Sequence, residues 1–94
     1  MKNVTIRIPA ALREFAGGMA EVELQAVTAG TALEKLSERF PLLSQRIVDQ
    51  DGAVRTYVNI FVGETNIRDS SGLETRLADG EIVTIIPAVA GGLQ

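Results

Sequence analysis

Ninety-four residues, 46% hydrophobic and 22% charged, suit one small folded domain and are too apolar for a disordered chain. Nine Lys and Arg against twelve Asp and Glu give a net charge of −3, and no basic cluster interrupts it, which weighs against nucleic acid or an anionic membrane surface as the main partner. With no Cys there is no disulfide, thiol nucleophile or thiolate metal site, and with no His the commonest general base and metal ligand is missing too.

The first element is a strand over residues 3–8: Val4, Ile6 and Ile8 alternate with Thr5 and Arg7, and Pro9 closes it. Residues 10–18 form a connection ending in the Gly17-Gly18 turn. Val22 and Leu24, alternating with Glu21, Glu23 and Gln25, give a second strand pairing antiparallel with the first. Gly30-Thr31-Ala32-Leu33-Glu34 reads as a helix start, with Thr31 as cap and Glu34 completing a capping box. Leu33, Leu36 and Phe40 follow at helical spacing as the buried face. Pro41 limits the helix, and Leu42 to Ile47 add a further turn or two.

Thr56 to Val62 is the strongest strand, with Val58, Ile60 and Val62 inward and Tyr57, Asn59 and Phe61 outward. After a short segment near Asn66 to Arg68, Leu73 and Leu77 are expected core anchors, and Asp79-Gly80 turns the chain into a last strand from Glu81 to Ile86. A hairpin, one main helix and further strands predict an α+β, β-grasp fold: a mixed sheet of four to five strands on that helix, with first and last strands parallel and central. Residues 1–87 are the expected domain and 88–94 a flexible tail. The apolar run at 82–93 is broken by Thr84, Pro87 and two glycines and falls short of the roughly 20 residues a membrane span needs; the N-terminus lacks a signal-type stretch. A cytoplasmic location is the expectation.

Several polar groupings read as structural. Glu21 and Glu23 lie on the solvent side of a strand, and Asp49 and Asp51 beside Gly52 supply too few oxygens for calcium. Asp69 to Gly72 is a turn signal, and neither Lys2 nor Lys35 is marked as activated. No catalytic side chains and no metal site are expected. The tail Ala88-Val89-Ala90-Gly91-Gly92 is a different object. At full extension it reaches about 16 Å, at ~3.3 Å per residue. It carries no charge and nothing larger than Val, so it can enter a narrow channel and lie against another protein's backbone.

The stretch from Gly80 to Gly92, a DG turn into a strand, a Pro, small residues and Gly-Gly, resembles the ending of the ThiS/MoaD-like ubiquitin-fold sulfur carriers. Leu12 to Gly18 (LREFAGG) is similar to that family's LRE…GG segment, and Tyr57 to Val62 to its VN-containing strand. The resemblance covers nearly the whole chain. It implies that the Gly92 carboxylate, next to Gly91, is adenylated by an E1-like enzyme using MgATP and converted to a thiocarboxylate. A sulfur-accepting biosynthetic enzyme then receives the sulfur. The AVAGG ending looks closest to carriers in cysteine or methionine assembly. In the family the active chain ends at the second glycine, whereas here Leu93-Gln94 follow, as in members whose extension is removed by a JAMM-type metalloprotease. Cleavage between Gly92 and Leu93 is therefore expected.

The outward Phe61 and Ile86, with Val89 beyond them, are the candidate partner surface. Other roles for the same tail are a thiamin sulfur carrier, the small subunit of a molybdopterin synthase, and a ubiquitin-like protein modifier joined through Gly92 to lysines. An interaction module with an inert tail is the plainest alternative.

Overall fold

The computed structural model describes residues 2–87. Strand β1 (Asn3–Arg7) pairs antiparallel with β2 (Glu21–Gln25), placing Val4 opposite Leu24 and Ile6 opposite Val22. Between them, residues Ala10–Ala16 form a 3-10 helix. Gly17 and Gly18, at φ 64° and 82°, end it in the left-handed conformation that a side chain disfavours. This accounts for the LREFAGG segment: Leu12 and Phe15 pack on the core, Ala16 is buried, and Arg13 Nε donates to the Ile8 carbonyl at 3.0 Å. The Arg46 guanidinium covers the Phe15 ring at 4.4 Å.

Helix α1 (Ala29–Arg39) starts earlier than the sequence suggests. Thr28, not Thr31, is the cap: its hydroxyl accepts the Thr31 N–H at 3.1 Å, and Thr31 sits inside the first turn. The reason is tertiary. The Ala29 N–H donates to the Thr75 carbonyl at 3.0 Å, and Ala29 and Ala32 join Leu33 and Leu36 in the buried stripe, so the apolar face begins ahead of Leu33. Gly30 marks a close approach: a Cβ there would lie 3.0 Å from the Leu73 carbonyl oxygen. Phe40 is half-buried, capping α1 at its end and opening α2 (Pro41–Ile47), where Pro41 fits the first helical turn and Leu43 and Ile47 are buried.

Strand β3 (Val58–Val62) begins two residues later than expected and pairs antiparallel with the short β4 (Thr65–Asn66) and with β5 (Ile82–Pro87). The last strand runs to Pro87 and lies parallel to β1, so the sheet order is β2-β1-β5-β3-β4 and the first and last strands are central neighbours, as the β-grasp reading requires. The inner face contributes Val4, Ile6, Val22, Val58, Ile60, Val83 and Ile85 to a core closed by α1, α2 and Leu77. Leu73 packs on that core half-buried, so Leu77 is its stronger anchor. Each such side chain is worth about 1.5–3 kcal/mol when fully buried.

The free edge of β2 is covered. Lys35 Nζ donates to the Gln25 carbonyl at 2.6 Å and Arg39 Nη1 to the Glu23 carbonyl at 3.3 Å. Basic side chains on α1 thus occupy acceptors that another strand would otherwise pair with.

Candidate functional site at the exit end of the sheet

Alternation along β3 and β5 decides which side chains leave the core. Val58 and Ile60 point inward with Val83 and Ile85, so Asn59, Phe61, Thr84 and Ile86 share the outer face. Ile86 is 45% exposed, and Tyr57, just ahead of β3, is 50% exposed. Phe61 is half-buried between its register partners Thr84 and Asn66, and it is absent from the residues packed on the core. Both Phe61 and Ile86 therefore stand on the face expected of them. Val89, Gly91, Gly92 and Leu93, and with them the expected cleavage point, lie outside the described residues. The strand that leads to them ends at Pro87, opposite Val58.

A polar network borders this patch. Asn59, directly across from Ile86, accepts at Oδ1 from Asn66 Nδ2 at 3.2 Å and from Arg68 Nη1 at 2.6 Å. Arg68 Nη2 also donates to the Arg55 carbonyl at 2.8 Å, and the Arg68 backbone N–H donates to Asn66 Oδ1 at 3.0 Å. The sequence marks Asn59 as an outward polar residue in an apolar strand and as part of the VN-containing stretch, without a partner. Nothing in the spacing of Asn59 and Arg68 joins them, because the β3–β4 turn and the 3-10 turn Ile67–Asp69 do so.

The other half of the same face is charged. Arg7 and Glu21 form an ion pair at 3.3 Å, and Glu23 is exposed beside them. Among the described residues no group of three or more acidic side chains is placed to hold a metal ion. Asp49 Oδ1 accepts the N–H groups of Asp51 and Ala53 at 2.9 and 3.0 Å, which makes that loop a backbone turn. No described helix is long and apolar enough to cross a membrane.

A mixed sheet clasping a helix, with its last strand central and an apolar patch where that strand ends, defines a ubiquitin-fold protein of the β-grasp type. The chain belongs to the ThiS family, whose model matches residues 6–92. It is 41% identical over 92 residues to the sulfur carrier protein CysO of Mycobacterium tuberculosis, covering 96% of this chain and 99% of that protein. A chain of the crystal structure of the Amycolatopsis orientalis BexX/CysO complex superposes with a TM-score of 0.87 at 35% identity, covering 95% of this chain and 99% of the other. The solution structure of small archaeal modifier protein 1 from Methanosarcina acetivorans gives a TM-score of 0.85 at 32% identity, with 98% of each chain covered.

Proposed function

We propose that this protein is a sulfur carrier whose reactive group is the C-terminal carboxylate of Gly92, serving the assembly of cysteine or a related sulfur metabolite. The observation that carries the reading is the course of β5. A strand held on both sides, by β1 and by β3, ends at Pro87, and the sequence that follows it, Ala88-Val89-Ala90-Gly91-Gly92, is small and uncharged throughout. Membership of the ThiS family and likeness to proteins named as sulfur carriers support it.

The steps need nothing from the carrier but its terminus. Hydrolysis of the Gly92–Leu93 peptide bond by a JAMM-type metalloprotease frees the carboxylate. A carboxylate is a poor electrophile, so an E1-like enzyme with MgATP activates it: the oxygen attacks the α-phosphorus and pyrophosphate leaves. A sulfide-level nucleophile then attacks the acyl carbon, AMP departs, and the thiocarboxylate remains on the protein. An acceptor enzyme completes the transfer. The A. orientalis complex of BexX with CysO supports a role in which the carrier assembles with a protein partner.

The intact mass of the protein isolated from its native host tests the reading. The expected species ends at Gly92, a fraction of it with one oxygen replaced by sulfur. Retention of Leu93 under every growth condition would overturn it and leave a β-grasp binding module. The likeness to a small archaeal modifier supports a second reading, protein tagging through Gly92. Gly92 found in isopeptide linkage to target lysines in cell lysate would favour it.

A further inference from the structure

The network around Asn59 serves no catalytic step and no core packing, yet it fixes an exposed cation. Arg68 is exposed, and its guanidinium is held by two acceptors, Asn59 Oδ1 at 2.6 Å and the Arg55 carbonyl at 2.8 Å. Those bonds use two of its five N–H donors. The one ion pair among the described residues is Arg7 with Glu21, so Arg68 has no carboxylate among them. A long side chain normally surrenders rotamer freedom when it docks a ligand; here that freedom is already lost, which is what preorganisation for a planar, bidentate anion looks like.

Its position narrows the partner. Asn59 stands across from Ile86, so the fixed charge borders the exposed apolar side chains at the end of β5. At the far side of the sheet on β2, Glu21 is paired with Arg7 and Glu23 is left exposed, where it repels an acidic surface and favours its arrival at the exit end. Resting on the carrier reading above, we propose that Arg68 is a docking anchor for an Asp or Glu carboxylate on the E1-like enzyme, seated beside apolar side chains that cover Ile86 and Phe61. A phosphate of the bound nucleotide is the poorer candidate. The nucleotide meets Gly92, five residues past the end of β5 in the sequence, a span of up to about 16 Å at ~3.3 Å per residue.

The test uses the chain ending at Gly92, the E1-like enzyme of the same organism, and ATP–pyrophosphate exchange. Arg68→Ala is expected to raise KM for the carrier about tenfold with kcat nearly unchanged, because the lost contact is to the enzyme's body and not to the adenylate. Arg68→Glu is expected to raise KM further, and Arg68→Lys to recover part of it as a point charge without the fork. The dependence of kcat/KM on salt is expected to flatten in Arg68→Ala. A KM within twofold of the parent overturns the proposal, as does a raised KM with an unchanged salt dependence, which would mark a packing role. If the parent chain itself stimulates no exchange, the carrier reading fails and the anchor with it; exchange by the parent with an indifferent Arg68 removes the anchor alone.

Discussion

The outer face of the sheet has two unlike halves on one continuous pleat. Toward β2 it carries Glu21, Glu23, Gln25 and Arg7, and the free backbone edge is occupied by Lys35 and Arg39. Toward β5 and β3 it carries Tyr57, Phe61 and Ile86, with a guanidinium fixed at the border. Strand geometry is the same in both, so the contrast comes from side-chain choice. One half has two of its edge carbonyls occupied; the other leaves apolar area uncovered, and that half is where the chain departs toward Gly92. Exposed apolar side chains beside the exit of a central strand, Ile86 and Tyr57, suit an interface made and released in each cycle.

The most severe disruption is expected one residue away from the patch. Ile60→Ala removes a fully buried side chain from the inner face and is expected to cost about 2–5 kcal/mol in denaturant unfolding. Its neighbour Phe61→Ala, on the outer face, is expected to weaken adenylation while the domain stays folded. Comparable unfolding by both variants would erase the distinction between the faces.

Within the outer face, Ile86→Glu is expected to lower the kcat/KM of adenylation by about thirtyfold, the equivalent of a ~2 kcal/mol interface contact, with a near-parental melting temperature. Glu23→Ala in the charged half is expected to leave the same rate unchanged. Equal losses would show that the enzyme covers the whole sheet.

The smallest effect concerns the closed edge. Replacing Lys35 and Arg39 together by Ala is expected to cost less than about 1 kcal/mol, since both side chains are at the surface. It should nonetheless raise self-association at high concentration, read by sedimentation velocity, because the Glu23 and Gln25 carbonyls are then free to pair. A strictly monomeric double variant would mean that the charges of β2 suffice to protect it.

Most of the fold was legible because the alternation in β1, β2, β3 and β5 is clean, and the inward and outward assignment of Phe61 against Ile60 follows from a period of two alone. The helix cap was misplaced because Thr28 and Thr31 are both competent caps. The choice belongs to Thr75, whose carbonyl takes the Ala29 N–H from far along the chain. Gly30 looked like a start signal and is instead a site where Leu73 comes too close for a side chain. Of the candidate site, Phe61 and Ile86 could be read from phase, whereas Arg68 could not.

By itself the sequence determined the strand phases, the aliphatic composition of the core, the absence of thiol and imidazole chemistry, and the slim uncharged character of residues 88–92, since these depend on local period and residue type. Only the tertiary structure decided where α1 begins, which edge is sealed, and that Arg68 meets Asn59 beside Ile86. Those outcomes depend on backbone groups and side chains brought together from distant positions, and no local pattern encodes such a meeting.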